Sequence, residues 1–333
     1  MIKSSAFKGL ILSGVAYLAL WLLVPKATFL KWLAESSYLT TANGAGLILP
    51  GIVHGLSVGL PMVAFMAVQI AGIYYFTRLN LKWWGYLICM IGSIVLIGAL
   101  LTLVIYTYHI PGQLGRYPTL QEHMIILGRY YGPYKLPISL AFITAASCIG
   151  GLVSFRVKDK NLLLPVSMFA AAIDFWTVNY GFVGVAMTKT PEIVSAVSVP
   201  IPHAGTGVFM PNTMIGPGDF LFMALLFASV SRLELDGMRN YWYVFAAMSI
   251  GMMAVMFNLL PFLPALTVLA VGIVLANYRE FKLTKQEKIS VAIVAVVLAI
   301  SVPIVRSMVS QLQRTDITPT KSAPHSTPGV PRK

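Results

Sequence analysis

Long apolar runs alternate with short polar stretches along the whole chain, and the runs are too continuous to be single faces of soluble helices. A helix that crosses a bilayer needs about 20 mainly apolar residues at about 1.5 Å each. That ruler predicts nine spans, at 9–25, 45–76, 84–108, 137–155, 162–187, 215–231, 241–258, 261–277 and 289–311. The second run is too long for one upright span and too short for two. Pro50 and His54 interrupt its first half, so a re-entrant piece is expected ahead of the span proper. The first run begins basic, like a signal peptide, but its apolar part is long and no small-residue cleavage pattern follows, so it reads as a retained signal anchor. The expected fold class is an all-α polytopic membrane protein. Its N-terminal region (1–136) holds the first spans, a core (137–312) the remaining ones, and a Thr-, Pro-, Ser- and Lys-rich tail (313–333) should be disordered.

Composition agrees with the pattern. The 333 residues are 57% hydrophobic and 11% charged, whereas roughly 25% charged is ordinary for soluble domains. A soluble enzyme, a secreted disulfide scaffold and a DNA-binding domain are excluded. Cys89 and Cys148 both lie in apolar runs and supply neither a disulfide framework nor metal-ligand spacing. The net charge of +13 is distributed over short loops rather than one amphipathic face, which points to a cytoplasmic membrane face and not to nucleic acid. Arg156, Lys158, Lys160, Arg232, Arg239, Arg279, Lys282, Lys285 and Lys288 fall in loops on one side, against Lys189 alone in the loops 188–214 and 258–263. The first set is expected in the cytoplasm, with the N-terminus there too on a nine-span count. Trp83, Trp84, Tyr241, Trp242 and Tyr243 sit near span ends as interfacial anchors. Gly51, Gly55 and Gly59 recur every four residues, a close-packing face whose partner is a neighbouring helix or a second copy, so homo-oligomerisation stays open. His54, His109, His123 and His203 are scattered, and no metal site is expected.

Of the 11 acidic residues, Asp174 and Asp219 lie inside apolar segments. A charge at the centre of a membrane helix costs about 2.5–3.5 kcal/mol on the lenient insertion scale, so function is the default reading of such residues. Lys160 precedes Asp174 by 14 residues and Arg232 follows Asp219 by 13. On antiparallel neighbours both carboxylates then lie about 20 Å from the cytoplasmic boundary. Consecutive spans are commonly adjacent, so the two acids should face each other and share one proton. Gly216 as a cap, Pro217 as first helical residue and Asp219 in the first turn make a favourable helix start, which would favour the charge on Asp219. Asp174, mid-helix among apolar neighbours, is expected to lack that help. A helix starting at Gly216 also requires non-helical descent through 205–215, tolerated only where it is buried or lines water. Pro264 lies 15 residues before Arg279, at matching depth, and with Pro261 should leave backbone carbonyls free beside the acids.

These residues resemble the GxGD intramembrane aspartyl proteases, the family of presenilin and signal peptide peptidase. The likeness rests on an aspartate within one span, Gly216-Pro217-Gly218-Asp219 at the head of the next, and Pro264-Ala265-Leu266 two spans later. It covers roughly 137–280, and the compact connection between the aspartates is closest to signal peptide peptidase and its microbial homologues. The resemblance implies a presenilin-like bundle with Asp174 and Asp219 as catalytic dyad. Gly216, Pro217, Gly218, Pro264, Ala265 and Leu266 would shape the site and contact substrate. It implies hydrolysis of transmembrane or signal peptides by a water held between the carboxylates, with no covalent intermediate, metal or cofactor. The substrate helix must unwind, and 193–199, the chain before Gly216 or the backbone around Pro264 could pair with it as an added strand. Three features differ from the family pattern: Ile173 replaces the usual Tyr, a span follows the Pro264 span, and the acids fall on the fifth and sixth spans. The rival reading is a proton- or cation-coupled transporter, which also uses paired intramembrane aspartates and broken helices. No internal repeat supports it, and a silent scaffold of the same fold is a third reading. Small loops favour a microbial plasma membrane.

Overall fold

The computed structural model describes residues 4–27, 29, 32, 48–108, 134–179, 198–200, 214–257, 259 and 264–315. The readings on His109, His123, Lys189, His203, Pro261 and the tail beyond 315 lie outside the described residues. The described chain is helical: α1 (Ser4–Leu23), α2 (Ile48–Thr77), α3 (Trp83–Tyr108), α4 (Lys135–Val153), α5 (Leu163–Asn179), α6 (Pro217–Arg232), α7 (Gly237–Met256), α8 (Ala265–Asn277) and α9 (Lys285–Thr315). One short antiparallel ladder, β1 (Val199–Pro200) on β2 (Met214–Ile215), precedes α6. Among the described residues each apolar run overlaps one of these helices, and α9 continues three residues past 312.

Four segments are long and apolar enough to cross a membrane by themselves: Ser5–Lys26, Leu56–Thr77, Trp83–Val104 and Lys135–Arg156. Helices α5, α6 and α8 have 17, 16 and 13 residues. At the helical rise they are about 20–26 Å long, short of a hydrocarbon layer of about 30 Å. These are the helices that carry Asp174, Asp219 and the Pro264 cap.

The re-entrant piece expected ahead of the second span is not found. Helix α2 runs unbroken for 30 residues. Pro50 falls in its first turn, where an N–H has no intrahelical acceptor, and Pro61 is carried within the helix. Helix α1 lies antiparallel along α2, with Gly9 against the Tyr75 ring, Ser13 near Gly72 and the Tyr17 ring 4.7 Å from Phe65. The start of α1 therefore lies at the same end as Thr77.

That end gathers the basic loops. Glu280 pairs with Lys160 at 3.4 Å and with Arg239 at 3.6 Å, and Ser231 Oγ donates to Asn80 Oδ1 at 3.1 Å. The Arg232 guanidinium lies over the Phe155 ring. The turns after α2, α4, α6 and α8 are thus stitched to one another. Trp83, Trp84, Trp242 and Tyr243 remain exposed near this end, but Tyr241 does not act as a free anchor, since its ring packs 5.5 Å from that of Tyr74.

Helix α6 is the centre of the bundle. Phe220, Met223, Ala224, Leu225, Leu226, Phe227, Ala228, Ser229 and Val230 are buried in unbroken sequence apart from two positions, so all of its faces meet protein. It packs chiefly on α4 and α2 and touches α5, α7 and α8. The α4 crossing depends on Gly150, where a Cβ would collide with Leu221 O and Leu225 N of α6. Gly272 makes the corresponding approach of α8 to α7, where an added Cβ would stand 3.1 Å from Val244 Cα. The surroundings of Gly51 and Gly55 lie outside the described residues, so the close crossings described are elsewhere than the repeat suggests. Below Gly272, Asn240 and Asn277 exchange side-chain amide hydrogen bonds in full burial and join α7 to α8.

Candidate active site

Asp219 is placed by the start of α6. Gly216 is the cap in an extended conformation (φ −70°, ψ 152°), Pro217 and Gly218 follow, and Asp219 is the third helical residue. Its N–H donates to Gly216 O at 3.1 Å. Proline suits the first position because its missing N–H would have had no partner there. The carboxylate is half-buried and sits in the first turn, at the positive end of the helix dipole. A Cβ on Gly216 would stand 3.8 Å from Asp219 Oδ2, an ordinary contact, and one on Gly218 would meet nothing within 4 Å. Packing among the described residues does not demand glycine at 218; it leaves open space beside the acid.

Asp174 comes from the middle of α5 and is 7% exposed. Its Oδ2 accepts the backbone N–H of Thr267 at 3.1 Å. Thr267 is the third residue of α8, directly after Leu266, and its hydroxyl donates to Ala171 O at 3.1 Å, one turn before Asp174. The expectation that Asp174 lacks a helix start is therefore corrected: α8 supplies one. The carbonyl that Pro264 would free, on Leu260, lies outside the described residues, and Pro264 O itself accepts Val268 N–H at 3.1 Å in a regular helical bond. What α8 turns towards Asp174 is a donor. Pro264 is the N-cap of α8 (φ −75°, ψ 83°), Ala265 is half-buried against the core, and Leu266 is buried.

The acids come together less directly than expected. Helices α5 and α6 touch, but α5 packs mainly on α8 and α6 mainly on α4. The Pro264 helix is the third wall. Asp174 and Asp219 lie within electrostatic reach of each other. Ahead of Gly216, the extended pairs Val199–Ile215 and Pro200–Met214 bring the far chain to the head of α6, with Val199 fully buried. Asp174, Asp219, Gly216, Pro217, Gly218, Pro264, Ala265 and Leu266 thus belong to helices and helix starts in mutual contact.

Sequence reasoning missed Thr267. Its only signal was a hydroxyl residue three positions past a helix-starting proline, where a backbone donor is unpaired. It also missed Gly150, an isolated glycine whose role appears only through the partner helix. No family model, curated protein or solved structure matches the chain.

Proposed function

We propose that the chain is an intramembrane aspartyl protease of the GxGD type, a nine-span bundle of the presenilin and signal peptide peptidase kind in a microbial plasma membrane. Its basic end and N-terminus face the cytoplasm. The observation that carries the reading is that both acids sit at helix starts, Asp219 in the first turn of α6 and Asp174 on the Thr267 N–H of α8.

Helix starts carry partial positive charge. They favour carboxylates and a developing oxyanion, and they oppose a bound metal cation, which carriers hold with carbonyls and helix C-termini. This supports hydrolysis over cation coupling. A water between Asp174 and Asp219 loses a proton to the ionised acid as its oxygen bonds to the scissile carbonyl carbon. The protonated acid gives its proton to the carbonyl oxygen. Collapse of the tetrahedral species breaks the C–N bond, and the amine leaves with a proton returned through the pair. The α8 start holds Asp174, and the open space over Gly218 admits substrate backbone. An unwound substrate adds to the β1–β2 ladder as a further strand.

The test is purified protein in liposomes with a fluorescent transmembrane peptide, comparing wild type with Asp174→Ala and Asp219→Ala. Cleavage that is lost in both variants is the expected result. Ion-driven uptake without peptide cleavage would overturn the reading in favour of a carrier.

A further inference from the structure

At the basic end, where α2 and α6 stop and α7 begins, a cavity of about 290 Å³ is lined in part by Tyr74, Arg78, Asn80, Phe227, Ser231 and Glu234. It is at the small end of ligand-site volumes, room for one head group rather than a peptide. Three helix ends meeting there place it at the level of the lipid head groups.

The lining has an unusual backbone. Asn80 (φ 48°) and Glu234 (φ 55°) are the non-glycine residues with positive φ among the described residues, and both line this cavity. A glutamate in that region is uncommon, and such conformations cluster at ligand clamps. The Ser231–Asn80 hydrogen bond ties the two turns together.

The charges are also incomplete. Arg78 donates through Nη1 to the Tyr74 hydroxyl at 2.8 Å and lies 5.3 Å from that ring's centroid. Neither Arg78 nor Glu234 has an ion-pair partner among the described residues. One cation and one anion thus stand in a single cavity, each with unused hydrogen-bonding capacity.

We propose that this cavity binds a phosphoethanolamine group, with its phosphoryl oxygens on Arg78 and its primary ammonium on Glu234. A purely anionic head group would satisfy Arg78 and be repelled by Glu234. A choline head group carries no N–H for Glu234, and the cavity offers no aromatic cage for it, because the Tyr74 ring already holds Arg78. A zwitterion with a primary amine answers both charges. This site is independent of the protease reading.

The full chain, purified in detergent, is incubated with equimolar phosphatidylethanolamine, phosphatidylcholine and phosphatidylglycerol and examined by native mass spectrometry. Wild type should retain the ethanolamine lipid in preference to both others. Arg78→Gln and Glu234→Gln should each lower that retention about fivefold, the worth of one exposed charge-assisted bond. Glu234→Lys, at an exposed position, should turn the preference to phosphatidylglycerol, which guards against reading a folding defect as lost binding. Displacement by soluble O-phosphoethanolamine would support the site with a free ligand as its source, and retention against it would support the site with a membrane lipid. Equal retention of the three lipids by wild type, or unchanged preference in Glu234→Gln and Glu234→Lys, overturns the proposal.

Discussion

The carboxylate of Asp174 accepts the backbone N–H of Thr267 at 3.1 Å, across 93 residues of sequence. The Thr267 hydroxyl returns to Ala171 O, so α5 and α8 are pinned by two bonds at the level of the acid. The Pro264 segment therefore does more than shape a wall, because the helix it starts fixes one of the two acids.

Thr267→Pro removes that donor at a first-turn position where proline is tolerated. A hydrogen bond to a charged group contributes about 1.5–3 kcal/mol. Peptide cleavage should fall about tenfold to a hundredfold, while Thr267→Ser should stay near wild type. Initial rates on the fluorescent transmembrane peptide, with thermal unfolding as a fold control, check this. Equal activity in the two variants would remove Thr267 from the site.

Gly150→Ala should destabilise the bundle by about 2 kcal/mol or more, since its methyl meets backbone atoms of α6 that cannot rotate away. Gly98→Ala, with nothing within 4 Å of the added carbon, should fall within about 0.5 kcal/mol of wild type. Thermal unfolding in one detergent compares them directly.

Asn240→Ala and Asn277→Ala each leave a buried amide without its partner, at a cost of about 1–3 kcal/mol. The double Asn240→Leu/Asn277→Leu variant removes both polar groups and should cost less than the two alanine changes summed. A double-mutant cycle on unfolding midpoints measures the coupling. Simple additivity would show that the pair does not act as a unit.

Helix α9 begins with a capping box: the Thr284 N–H donates to Glu287 Oε2 at 2.7 Å and the Glu287 N–H returns to Thr284 Oγ1 at 3.3 Å. The Thr284 N–H, with the Asn161 amide beside it, holds the Glu287 carboxyl below the usual range. A lowered value means that the cap's contribution is present above the ordinary glutamate value of about 4.3 and is lost as pH falls through the lowered one. Hydrogen-exchange protection factors in the first turn of α9, taken relative to the intrinsic rate at each pH, should fall on acidification. Glu287→Gln should remove that fall.

Much of the architecture was legible because long, nearly uncharged apolar runs carry their own signal for helices. Apolar runs of span length become helices, and the basic loops fall at one end. The start of α6 could be read from Gly216-Pro217-Gly218-Asp219, since cap, proline and first-turn acid are local chemistry. What could not be read depends on which helices meet. The environment of Asp174 is set by α8, so its own neighbours in sequence, all apolar, suggested an acid without help. Pro264 marked a helix start, and which acid that start would serve was not legible from it. Pro50 suggested a break because a proline's position relative to a helix start decides whether it interrupts anything.

The central claim is that Asp174 and Asp219 act as one hydrolytic unit. It is tested most directly by transmembrane-peptide cleavage in liposomes for wild type, Asp174→Asn, Asp219→Asn and the double variant, all with matched unfolding midpoints. Groups that act together are strongly non-additive, so each single variant should lose cleavage as completely as the double. If either single variant keeps turnover within about tenfold of wild type, a step of about 1.4 kcal/mol in barrier, the two acids do not form the reacting pair.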